Sequence, residues 1–391
     1  MNFHKNTIIK SLLSAVMLVA FAGNASAGAV ESKSRAEWKK EYVRPANTPF
    51  PEENAYSAPK ADLGHKLFFD PRLSGNNYIS CGTCHNPSFA WGDGLPKGIG
   101  NAMTILGRRT PTILNLAWAD SLMWDGRFDT LEEQVLGPMS APVEMNQDLN
   151  SVVAELQEIP EYRALFNVTF PGQGITIENI AKAIATYERT VVSGVAPFDR
   201  WIAGDEHAIP DAAKRGFDLF NGKANCVACH SGWNFTDGSF HDIGLPDGDI
   251  GRGKQLPNVK VMQHAFKTPT LRNSVERAPF MHDGSLKNLY SVVQHYNEAG
   301  VKRESRSEEI YPLKMSSVEQ DDLVAFLTTL SSNDPQVALP SLPPFDQTVA
   351  GSVKGISPAA GPSAASASTT LRAFTGRCDA GGMHWLPCAK K

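Results

Sequence analysis

Apolar residues return at three- and four-residue intervals along most of this chain, and the strict alternation of a half-buried strand is scarce. Leu63, Leu67 and Phe68 share one face of a helix predicted over residues 61–70 and ended by Pro71. A matching helix over residues 211–220 carries Phe217, Leu219 and Phe220. Both contain Gly-x-x-Leu-Phe, at 64–68 and 216–220, an internal repeat that suggests two similar domains. Between them, residues 131–136 and 149–166 read as helices broken by Pro138, Pro142 and Pro160. Thr176 can cap a helix reaching about residue 192, with Ile177, Ile180, Ala181, Ile184 and Tyr187 on one face. Residues 196–205 read as a turn-rich crossing and mark the domain boundary. Further helices are predicted over 286–298 and 317–331, the second with Leu323, Val324, Phe326, Leu327 and Leu330 as its core face.

The connecting segments complete this picture. Residues 28–59, with Pro45, Pro49, Pro51 and Pro59, read as an extended arm laid over the first domain, and 232–261 as a glycine-rich loop. Beyond Pro340 the composition turns to Pro, Ala, Ser and Gly, too poor in apolar residues to order itself, so 341–377 reads as a flexible linker. The expected architecture is mainly α, with long loops. An N-terminal domain spans 28–200, a C-terminal domain 201–340, and a cysteine-containing tail 341–391.

The first 27 residues stand outside that architecture. Lys5 and Lys10 precede an apolar run over 12–22 that is too short to cross a bilayer, and Ala25-Ser26-Ala27 forms a cleavage site. This is the pattern of a secretory signal peptide, which places the mature chain in the periplasm or outside the cell. No later stretch reads as a membrane span. A net charge of −4 over 391 residues leaves no basic footprint for nucleic acid.

Four of the six cysteines fall in two pentads, Cys81-Gly82-Thr83-Cys84-His85 and Cys226-Val227-Ala228-Cys229-His230. In C-x-x-C-H two thiols can each bond one vinyl-derived carbon of a haem, and the histidine beside them becomes the proximal iron ligand. Two such pentads behind an export signal point to two covalent haem c groups, held by Cys81, Cys84, Cys226 and Cys229 with His85 and His230 on the irons. Cys378 and Cys388 lie close together near the C-terminus. A local disulfide is the expected fate in an oxidising compartment, and metal binding with Met383 and His384 is the alternative.

Several segments around the pentads resemble the bacterial di-haem cytochrome c peroxidases, and MauG-like proteins among them. They are residues 67–74, Arg109-Thr110-Pro111-Thr112-Ile113-Leu114-Asn115, Trp124-Asp125-Gly126-Arg127, residues 241–246, Lys267-Thr268-Pro269-Thr270-Leu271-Arg272-Asn273, and Met281-His282-Asp283-Gly284. The resemblance implies that the N-terminal haem meets hydrogen peroxide and that the C-terminal haem stores or relays an oxidising equivalent. It puts Tyr296, in place of the methionine of conventional peroxidases, on the second iron. His295, Met281 and Met315 are the rival ligands. It also implies Trp124 as an inter-haem tryptophan and Gln134, Pro138 and Glu144 as pocket residues. Glu144 would pass a proton between the peroxide oxygens, and Gln134 would orient the glutamate or a water. No histidine occurs between His85 and His207 to close over the first haem.

Two positions depart from the resemblance. Ala224 stands where MauG has a hole-relaying tryptophan, which weakens a role in tryptophan tryptophylquinone formation. Arg109 stands where the family's inter-haem calcium has an asparagine, with the carbonyls of Arg277 and Pro279 retained, so calcium is in doubt. The implied function is peroxide-driven oxidation of a Trp or Tyr of a partner protein, with Trp201, Trp233 and Trp385 as candidate exit points. The alternatives are peroxide reduction with electrons from a small cytochrome or cupredoxin, and a plain electron-transfer cytochrome.

Overall fold

The computed structural model describes residues 33–334 and 337–344; the signal-peptide segment, most of the linker and the pair Cys378/Cys388 lie outside the described residues. The described chain is mainly helical, and its one sheet pairs Phe240–His241 antiparallel with Phe266–Lys267. It forms two cytochrome c-like domains, each around its own apolar core. No helix among the described residues is long and apolar enough to cross a membrane.

The internal repeat has a packing reason. In the first core the helix Ala58–Phe68 crosses Ile177–Thr190, and in the second Asp211–Asn221 crosses Ser317–Thr328. A Cβ on Gly64 would overlap the carbonyl of Ala183, and one on Gly216 the carbonyl of Asp322. Each glycine therefore lets two helix backbones touch, while Phe68 and Phe220 of the same motif fill the core beside the crossing.

Most predicted helices appear within a few residues of their expected ends. Thr176 accepts from the Asn179 amide at 3.2 Å and starts its helix as expected. Three expectations need correction. The helix Leu131–Ser140 runs through Pro138, which lacks only one amide donor near the last turn. The supposed crossing at 196–205 contains the helix Pro197–Ile202, whose Phe198 and Trp201 are fully buried in the second core. Apolar residues in so short a segment give too little periodicity to reveal a helix.

The third correction concerns the arm. Its residues 35–41 form a helix with a Ser34/Glu37 capping box, and it packs on the second core, not the first. Tyr42 is fully buried there, 4.9 Å from Phe235 and 5.5 Å from Phe217 between ring centroids. Lys39 pairs with Glu206 at 2.8 Å. Only from Asn54, which donates to Glu132 at 2.6 Å, does the chain join the first core. At the other end Val337 packs back on the first core, and the carbonyls of Ser341 and Pro343 accept from Lys66 and Arg72 at 2.6 and 3.1 Å.

Candidate functional site

The two pentads adopt the same local geometry. Cys81–Cys84 is a single helical turn started by Ser80, and Cys226–Ala228 a single 3-10 turn. In each, the histidine amide donates to the first cysteine's carbonyl at 2.8 Å, which turns the ring inward. His85 Nδ1 donates to the Trp91 carbonyl at 3.2 Å, and His230 Nδ1 to the Phe235 carbonyl at 2.9 Å. That fixes the tautomer and leaves each Nε2 as the nitrogen with a free lone pair. Burial pushes both imidazoles below the ordinary histidine range, so both are neutral.

A redox dithiol depends on a thiolate stabilised below the ordinary range. Here burial pushes the Cys84 thiol up to about 11 and Cys226 up to about 12, and no disulfide joins either pair. Neither Cys84 nor Cys226 is therefore poised as an exchange thiolate.

One cavity of about 940 Å³ runs across both pentads, and Trp124, Gln134, Pro138, Glu144 and Tyr296 line it beside the pentad cysteines and histidines. Glu144 sits in the turn after the helix Leu131–Ser140. Its carboxylate has no hydrogen bond or ion pair among the described residues, and burial raises its pKa against the opposing field of Arg127. Gln134 donates to Met123 Sδ at 3.5 Å and makes no bond to Glu144, so the structure does not bring those two together directly. Trp124 is tied to both halves. Its Nε1 donates to the Arg109 carbonyl at 2.8 Å, and its own carbonyl accepts from the Lys267 amide at 2.8 Å.

These residues match known sequences as a whole. Residues 58–207 match the family model of di-haem cytochrome c peroxidase, and residues 213–331 that of cytochrome c. The chain is 49% identical to "Methylamine utilization protein MauG" of Methylorubrum extorquens over 84% of its own length and 94% of that protein's. It belongs to the MauG-like branch of the di-haem cytochrome c peroxidase family. To "Cytochrome c551 peroxidase" of Nitrosomonas europaea it is 33% identical, over 87% of the chain and 96% of that protein. Among solved structures, a MauG-like protein associated with microbial copper homeostasis superposes with a TM-score of 0.70 at 30% identity, over 75% of this chain and 94% of that one.

The chain is thus a haem-dependent oxidoreductase, and membership of this di-haem family implies two haem c groups. The site fits them: two attachment pairs, two inward neutral imidazoles, and one cavity spanning both. On the second side Tyr296 projects from the helix Leu289–Glu298, and its hydroxyl has no hydrogen-bond partner among the described residues. Burial raises its pKa, and a nearby cationic metal would favour the phenolate. His295 is otherwise engaged, its Nε2 donating to the Ile243 carbonyl at 2.9 Å, and it does not line the cavity. Met281 and Met315 do line it.

Ala224 is buried beside the second pentad. The Arg277 carbonyl accepts from the Arg109 guanidinium, so a fixed positive charge already stands against that oxygen. Sequence reasoning missed two buried ionisable groups on the cavity wall, Glu188 and Lys267. Burial pushes Glu188 up to about 8 and Lys267 down to about 8. Nothing in their local sequence marks them, because their burial comes from segments distant in the chain.

Proposed function

We propose that this chain is a periplasmic di-haem enzyme that uses hydrogen peroxide to oxidise a tryptophan or tyrosine of a partner protein, in methylamine utilisation. The observation that carries the reading is Tyr296. It is enclosed, lines the second pentad's side of the cavity, has no partner for its hydroxyl among the described residues, and stands on a helix without methionine. Identity to a MauG protein over nearly its whole length supports it. Bound haem supplies an iron that can take peroxide at an open position and hold oxidising equivalents at a potential set by its axial ligands.

The chain's own residues then have distinct tasks. His85 and His230 would hold the two irons through Nε2, their rings oriented by the Trp91 and Phe235 carbonyls. Tyr296 would bind the second iron, and a phenolate oxygen favours higher iron charge more than a thioether does. Glu144, without a hydrogen bond or ion pair among the described residues, would take the proton from one peroxide oxygen and return it to the other, so that the second oxygen leaves as water. Gln134, held by Met123, and Pro138 shape that pocket. Trp124 passes an electron across the joint. A buried alanine at 224 offers no indole to a docked substrate, so any action in tryptophan tryptophylquinone maturation leaves by another route.

Peroxide added to the diferric protein is expected to raise a near-infrared absorption band that persists for minutes without a substrate. Tyr296→Met should abolish that band while both haems remain attached. An unchanged band in the variant would refute the ligand assignment. Rapid steady-state turnover with a reduced small cytochrome would instead favour peroxide reduction, the reading that likeness to a cytochrome c551 peroxidase supports.

A further inference from the structure

The two haem sites repeat a segment that the proposed chemistry does not use. Arg109-Thr110-Pro111-Thr112 after the first pentad corresponds to Lys267-Thr268-Pro269-Thr270 after the second. Each runs on to an asparagine in the left-handed region, Asn115 with φ 62° and Asn273 with φ 53°. The matched first position is a cation in both, and the two meet at Trp124, which donates to the Arg109 carbonyl and accepts from the Lys267 amide. Arg277 joins them, its carbonyl accepting from Arg109.

None of the three cations has a carboxylate partner among the described residues. Arg109 and Arg277 are each 6% exposed. Arg277 donates Nη2 to the Thr270 carbonyl at 2.6 Å, Lys267 donates Nζ to the Ser121 carbonyl at 2.8 Å, and the Nη1 atoms of both arginines make no bond. Asp93, Glu276 and Asp120 act on them only from a distance, and the Asp93 carboxylate is occupied by Thr110 at 2.6 Å. Buried cations without anions are costly, and the positive charge of Arg109 adds to the cost of keeping Arg277 charged. All three side chains line the cavity, so the missing anions can come only from what fills it. Haem c brings carboxylates of its own, on its propionate arms.

We propose that Arg109, Lys267 and Arg277 form a cationic seat that binds the propionate carboxylates of the haems where the two sites meet. The guanidinium forks suit bidentate carboxylate pairing, and the ammonium supplies a point charge at the matched position of the second site. The seat has a consequence for Trp124. Uncompensated cations on the wall that Trp124 shares oppose removal of an electron from its indole, and seated propionates weaken that field. The proposal rests on the two haems alone and not on which molecule the enzyme oxidises.

Its test uses resting protein without peroxide. Thioether bonds hold the haems, so Arg109→Gln, Arg277→Gln and Lys267→Gln should each keep two haems per chain. Resonance Raman bands of propionate bending are expected to shift towards weaker hydrogen bonding in each. Midpoint potentials should fall, because removing a positive charge favours the oxidised iron. Lys267→Arg should restore both readouts. Bands and potentials at wild-type values in the glutamine variants would overturn the proposal. So would wild-type potentials that move with added acetate, which would mean that a diffusible carboxylate occupies the seat. If an arginine variant fails to fold, the Lys267 pair alone decides between these outcomes.

Discussion

Glu144 shows how burial turns an ordinary residue into a chemical group. It has no ion pair among the described residues, its pKa is raised chiefly by burial, and it lines the cavity that holds the first pentad. The form that accepts a proton is the carboxylate, and a raised pKa moves its appearance to higher pH. The rate of the peroxide-induced spectral change should therefore rise with pH, through an apparent pKa above the ordinary glutamate range. Glu144→Gln should slow that change by about 10²–10⁴-fold and flatten the rise, as expected for loss of a general base. Stopped-flow absorbance over a pH series reads both, and a rise that survives in the variant would assign the titration elsewhere. At this scale the sequence was informative where chemistry is local. The pentads set cysteine and histidine together within five residues, and the structure repeats that spacing as one turn with an inward imidazole. The bond from Gln134 to Met123 was not legible, because side-chain partners eleven residues apart depend on how the intervening loop closes.

At the scale of elements, the two helix crossings make the repeat an energetic statement. Gly64→Ala and Gly216→Ala place a methyl group against a backbone carbonyl, where no rotamer offers relief. Each should cost about 1–3 kcal/mol by overpacking, read as a lower denaturant midpoint of the haem-loaded protein. The two sites lie in separate cores, so the double variant should show roughly the sum of the two costs. Equal stability of Gly64→Ala and wild type would mean that the helices separate without loss. Helices with a wide apolar face were legible, since periodicity and caps act within the element, as in the helix that Thr176 caps and in Ser317–Thr328. The helix through Pro138 was not, because one missing amide near a helix end is outweighed by the packing of Val135 and Met139. The short helix Pro197–Ile202 owes its place to the burial of Phe198 and Trp201, a tertiary effect.

Across the whole molecule the chain ends cross over, residues 35–42 packing on the second core and Val337 on the first, so each domain is completed by a segment from beyond the other. Polarity and prolines could announce an arm but not which core it covers, since Tyr42 suits either. The joint itself was equally hidden. Arg108 binds Asp125, at 2.7 Å, and also Asp249, at 2.6 Å, and Trp124 meets Lys267, the last two pairs formed across more than a hundred residues. This double attachment holds Trp124 as the link between the halves, and it allows a direct test of whether the link carries electrons. Trp124→Phe keeps an aromatic ring on the cavity wall but loses the Nε1 bond to Arg109 and is far harder to oxidise. In wild type, a sub-stoichiometric dose of peroxide should diminish the ferric paramagnetic resonance signals of both haems in step. In the variant the high-spin signal of the first haem should decline promptly and the low-spin signal of the second only later, with resting spectra and haem content unchanged. Rapid-freeze sampling resolves the two courses. Simultaneous loss in Trp124→Phe would show that the electron crosses without the indole.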